Sequence, residues 1–196
     1  MTIIEERNQR LTFDDTWQVV KFDDHAQHKT RAVSLQGEIE PGERVSTRAV
    51  DIVALRKGQL YLIELKDFRL EPGVNRHRWL NSGCGLRVEV PAKVRDTVAT
   101  LVGALRQTDC DDLRPMAQAL LGEAKLKVAL LLETGYTPDP KARNPNEQHF
   151  RKLMMNEMKQ RLSFLDVRPL VLDQDNIAEY LPGLTVTNLS GATLAP

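Results

Sequence analysis

The chain has 196 residues, enough for one domain that buries about 70% of the surface its unfolded form would expose. Apolar residues at 41% and charged residues at 28% exclude a disordered chain, and no apolar run nears the roughly 20 residues of a bilayer crossing. The 27 basic residues balance 27 acidic ones, which excludes the global basic footprint of a tight nucleic-acid binder and leaves room only for a locally positive groove.

The first residues, MTIIEERNQR, lack the basic start and apolar core of a signal peptide, so a cytoplasmic protein without a membrane partner is expected. Up to about residue 47 the sequence is charged and weakly periodic. Trp17, Val19, Val20 and Phe22 suggest a short strand or packed turn, and Asp23 and Asp24 offer an N-cap to a short helix from His25 to Leu35. Glu40-Pro41-Gly42-Glu43 reads as a turn. Two strands follow, Ala49 to Leu55 and Leu60 to Lys66, joined by Arg56-Lys57-Gly58-Gln59, with glycine where a hairpin needs positive φ.

Glu71 to Glu89, with Gly73, Gly83 and Gly85, reads as an excursion without regular structure. Pro91 then opens a helix whose Val94, Val98, Leu101, Val102 and Leu105 share one face. A short helix from Leu113 to Glu123 leads into Lys125 to Glu133, whose continuous apolar run predicts a strand covered on both faces. Next come a helix from Asn146 to Phe164, with Phe150, Leu153, Met154, Met158, Leu162 and Leu165 inward, and a strand from Asp166 to Leu172. The order predicts a single α/β domain over residues 1–181 with a mixed sheet flanked by helices, followed by an uncharged tail, 182–196. Cys84 and Cys110 lack CxxC spacing, which argues against a disulfide framework or a zinc knuckle and for structural thiols.

In Leu60-Tyr61-Leu62-Ile63-Glu64-Leu65-Lys66 the period of two puts Leu60, Leu62, Glu64 and Lys66 on one face. Glu-x-Lys by itself is common as a solvated stripe. Here both strand faces are apolar, which marks an interior strand, where an ionised carboxylate is costly unless a metal or a partner compensates it. A two-residue loop at Lys57-Gly58 pairs Arg56 with Gln59 and, five positions further along each strand, Asp51 with Glu64. Directly opposed carboxylates should then lie within about 6 Å of each other, and a divalent cation between them turns repulsion into ligation. A glycine bulge in place of the tight turn would shift this register by one residue.

Val50-Asp51, followed at hairpin distance by Ile63-Glu64-Leu65-Lys66, resembles the signature of the PD-(D/E)xK nuclease superfamily, the restriction-endonuclease-like fold, and the order of elements is similar over roughly residues 20 to 172. The resemblance implies that Asp51 and Glu64 bind magnesium, with the Leu65 backbone carbonyl as a further ligand and manganese as a substitute ion, and that Lys66 acts on the attacking water. Magnesium suits this set because it prefers hard oxygen ligands, keeps several waters, and makes a bound water more acidic. Val50 stands where the motif has proline. The further acid that many members carry on the first helix has no counterpart between His25 and Gln36, which leaves Asp24, Glu38 and Glu40 as candidates by position.

Between residues 66 and 96 seven basic side chains face four acidic ones. Of the seven, Arg69, Arg76, Arg78 and Lys93 are candidate phosphate contacts, while Trp79 is read first as a core or lid anchor and second as a base-stacking ring. His25 and His28 are read as surface histidines, and Arg151, Lys152, Lys159 and Arg161 as the wet face of their helix. The resulting expectation is magnesium-dependent hydrolysis of phosphodiester bonds in nucleic acid, with DNA favoured, by a homodimer or with a partner protein. The rival expectation is a non-catalytic nucleic-acid-binding or regulatory protein that retains the nuclease fold.

Overall fold

A computed structural model describes residues 1–32, 37–40, 43–45, 47–69, 85–133 and 145–189. Its centre is a five-stranded sheet in the order β3-β6-β7-β8-β9, formed by β3 (Gln18–Lys21), β6 (Ile52–Arg56), β7 (Gln59–Asp67), β8 (Lys125–Glu133) and β9 (Leu170–Leu172). The first two contacts are antiparallel and the last two parallel, so the sheet is mixed. β8 spans the predicted residues end to end.

Each face of this sheet has its own cover. Val53, Leu60, Leu62, Val128, Leu130 and Leu132 pack against helices α1 (Leu86–Ala104), α2 (Arg114–Leu121) and α3 (Pro145–Arg161). Ile52, Tyr61, Ile63, Leu65, Ala129 and Leu131 pack against a second sheet of β1 (Thr2–Glu6), β2 (Gln9–Phe13) and β10 (Leu184–Asn188), together with Ile177 of the short α4 (Ile177–Tyr180). Two-sided burial explains why β7 and β8 read as unbroken apolar runs: water reaches neither side, so alternation would place polar groups in a core.

The second sheet differs from expectation. β1 and β2 form a hairpin within what reads as a charged, weakly periodic stretch, because only alternate residues such as Ile4, Leu11 and Phe13 are buried. The uncharged segment from residue 182 contains β10, which pairs with β2 and buries Leu184 and Val186. α1 also differs. It begins at Leu86, so Pro91 lies inside the helix and not at its first turn, at the cost of the hydrogen bond its nitrogen would give to Arg87. Val102 and Leu153 are exposed, and their predicted inward positions are not used. The segment before β4 (Gly37–Glu40) contains a π-helical turn, Gln27–Ala32, and β4 pairs with β5 (Glu43–Val45) on either side of Pro41-Gly42.

Candidate active site

The β6–β7 turn sets the geometry of the site. Lys57 and Gly58 both have positive φ, 46° and 70°, the signature of a two-residue type I′ hairpin, whose twist matches that of the strands. The ladder runs from Arg56↔Gln59 to Ile52↔Ile63 without a bulge, and the same register carried one residue past the start of β6 brings Asp51 opposite Glu64. On the other side the β3–β6 ladder ends at Lys21↔Ile52 and continues in a bond from the Phe22 amide to the Asp51 carbonyl, 2.8 Å. Asp51 is thereby held at the end of β6 from both neighbours. Its carboxylate Oδ2 accepts from the Leu65 amide at 2.6 Å, and the Thr97 hydroxyl of α1 accepts from the Val50 amide at 3.0 Å.

α1 lays a polar stripe over this point. Glu89, Lys93 and Thr97 recur at intervals of four residues and so share one helix face. The Lys93 ammonium lies 2.6 Å from Glu64 Oε1 and 3.4 Å from Asp51 Oδ1, so the two carboxylates meet the separation of about 6 Å set by opposed strand positions. Lys66 Nζ stands 2.9 Å from the same Glu64 oxygen and 2.8 Å from Glu89 Oε1. The Glu64 side chain is 0% exposed.

Burial, and then the charge of Asp51, push the Glu64 carboxyl up to about 7 against the pull of Lys66 and Lys93. Asp23, just past β3, is pushed up to about 6 by burial and by the same Asp51 charge. Burial pulls Lys66 down, but Glu64 and Glu89 outweigh it and hold the ammonium above its ordinary value. Four acids, Asp23, Asp51, Glu64 and Glu89, and two lysines therefore share one field.

A hard divalent ion fits the donors at this position. Both lysines converge on Oε1 of Glu64 and leave its buried Oε2 without a partner, and Asp23 Oδ1 is likewise buried and unpartnered. Orphaned carboxylate oxygens beside a second carboxylate are the oxygen ligands that magnesium prefers. Asp51 and Glu64 would hold the ion. Among the described residues no three His, Cys, Asp or Glu side chains gather as a metal cluster, so Asp23 stands outside the pair. Leu65 enters the site through its amide.

The structure brings Asp51, Glu64 and Lys66 together as the sequence predicts, and adds Asp23, Glu89 and Lys93. Lys93, expected on a phosphate-contacting rim, instead sits between the two carboxylates. Arg69 is only 13% exposed and is gripped by Asp67 at 2.6 Å and also bonded to Asn188, so its guanidinium is committed. Arg76, Arg78, Trp79 and Cys84 lie outside the described residues. Asp24 is engaged by Lys21 and Lys29, whose bonds hold its carboxyl down at about 2, and Glu38 and Glu40 lie on β4. His28 is buried, not solvated, and its pKa is lowered by burial and by Lys93. His25 pairs with Asp112 at 2.8 Å. The i, i+4 spacing of Glu89 and Lys93 was the signal available for the α1 residues, hidden because the helix reads as starting later.

No protein-family model matches the chain, and no solved structure does. Among curated proteins, the chain is similar to a cysteine–tRNA ligase of Neisseria meningitidis serogroup A / serotype 4A (strain DSM 15465 / Z2491), 26% identical over 148 residues that cover 68% of this chain. The matched part is 21% of the length of that ligase.

Proposed function

We propose that the chain is a magnesium-dependent nuclease of the restriction-endonuclease-like fold, hydrolysing phosphodiester bonds in nucleic acid at Asp51, Glu64 and Lys66. One observation carries this reading: Asp51 and Glu64 face each other around a single cation position, with Lys66 beside Glu64 on the same strand face. Bound magnesium, or manganese in its place, would supply acidification of a water and shielding of charge that grows on the phosphate. Lys66, kept cationic by Glu64 and Glu89, is suited to orienting water and neutralising the developing oxyanion, and poorly suited to accepting a proton. Asp51, through the Leu65 amide, ties the position of the acid pair to the backbone of β7.

The substrate favoured by the motif is DNA. The ligase relative acts by name on tRNA, which adds RNA to the substrates to test. Cutting both strands of a duplex with one such site takes two copies, so a homodimer or a partner protein belongs to this reading. A cytoplasmic setting does too, where the buried thiol of Cys110 stays reduced. Among the described residues no helix is long and apolar enough to cross a membrane.

A second reading, a non-catalytic nucleic-acid-binding or regulatory protein on the same fold, is favoured by one specific observation: a lysine ammonium lies between the two acids. A cleavage assay on plasmid, single-stranded DNA and structured RNA with magnesium or manganese, run beside Lys66→Ala, separates the two. Cleavage that falls by about a hundredfold or more in the variant, the scale of losing a charge-stabilising group, supports the enzyme. No cleavage by either protein with any ion, alongside equal nucleic-acid binding, supports the binding module.

A further inference from the structure

We propose that Lys93 is a built-in counter-cation: in the metal-free protein its ammonium holds the place between Asp51 and Glu64 that a divalent ion takes, so the ion binds by displacing it. The inference rests on the proposed metal site and adds a residue that competes for it.

Two opposed carboxylates, one of them fully buried, do not stay ionised side by side without a positive charge between them. Lys93 supplies that charge from α1 at 2.6 Å and 3.4 Å, spanning both acids, whereas Lys66 reaches Glu64 but not Asp51. An ammonium brings three donors and no capacity to ligate, so it and a metal ion exclude each other from the same carboxylate lone pairs. Lys93 is also the partner that can leave. Its side chain is 16% exposed and hangs on a flexible four-carbon stem, and its backbone belongs to a helix that need not move. Lys66 is pinned by a second acid, Glu89, at 2.8 Å.

The test is a manganese titration of the full chain followed by the electron paramagnetic resonance signal of the free ion. It is run at about pH 8.5 so that protonation of the acids does not compete. Wild type, Lys93→Met, Lys66→Met and Asp51→Asn are compared, with circular dichroism as the folding control and Lys93→Gln as the replacement if the methionine disturbs the fold. The expected result is binding tightened about tenfold or more in the Lys93 variant, since removing a competitor raises affinity directly, with a clearly smaller gain in Lys66→Met. Binding by the Lys93 variant where the wild type binds none supports the inference equally. Equal gains in both lysine variants mean that only the general field changed and overturn the displacement, as does unchanged or weaker binding in Lys93→Met, the metal site itself surviving in both cases. Failure of every protein to bind manganese overturns the metal site and this inference together.

Discussion

Glu64 is the residue on which the site turns, because its burial makes its charge conditional. Its carboxyl ordinarily titrates at 4.5 and in the folded chain at about 7. A raised carboxyl means that the folded state binds the extra proton, so this contribution to stability is fully present below about pH 4.5 and is lost as pH rises through about 7. Glu64→Gln carries no such titration. In chelator, the thermal midpoint of the variant should therefore gain on that of the wild type as pH rises from 4.5 to above 7. Asp23, which titrates in the same direction, remains in both proteins and cancels. A difference between the two midpoints that stays flat across that window would mean that Glu64 titrates as an ordinary exposed acid. The residues flanking Glu64 were only half legible. Asp51 and Lys66 follow from a turn and a two-residue period, both local. Asp23, Glu89 and Lys93 reach the site only because β3 ends beside Asp51 and α1 crosses above it, and no short-range pattern encodes either contact.

The element that fixes the register is the β6–β7 hairpin, and its turn carries one residue poorly suited to its backbone. Lys57 adopts φ 46° without being glycine or asparagine. Lys57→Asn should therefore stabilise the protein by about 0.5 kcal/mol, because asparagine tolerates the left-handed region. Gly58→Ala, at φ 70°, should cost about 1 kcal/mol or more. Urea midpoints measure both, and a neutral Gly58→Ala would show that the turn is not the type I′ form that places Asp51 opposite Glu64. This hairpin and β8 were readable because their determinants, a two-residue turn and an unbroken apolar run, are local in sequence. β1, β2 and β10 were not, since each is a five-residue strand with alternate residues exposed, and β10 meets β2 from the far end of the chain. The start of α1 was obscured by Gly83 and Gly85 before it and by Pro91 within it, a residue that ordinarily marks a first turn.

At the scale of the whole molecule, the central sheet stands between two hydrophobic clusters, and the site lies on the helical side, under α1. Leu184 and Val186 of β10 share the opposite cluster with Ile63 and Leu65, while Glu64 and Lys66 lie on the other face of β7. Leu184→Ala should thus cost about 2–5 kcal/mol, the range for a buried leucine, and a cost under about 0.5 kcal/mol, as for a surface position, would mean that β10 does not pack there. The charge side obeys a different ledger. Any ion that binds only the folded chain raises its stability by mass action, about 2.7 kcal/mol at a hundredfold excess over Kd, which for a chain of this size is a rise of roughly 5–10 °C in the thermal midpoint. Magnesium or manganese should produce such a rise in the wild type. Asp51→Asn should keep most of the metal-free stability, because the amide oxygen of asparagine can still accept from the Leu65 amide, and should lose most of the metal response, because a carboxylate facing Glu64 has gone. An undiminished response in that variant would place the ion elsewhere in the chain. No response in the wild type, with nucleic acid still bound, would leave the acid pair neutralised by Lys93 and Lys66 without an ion and favour the non-catalytic reading of this fold.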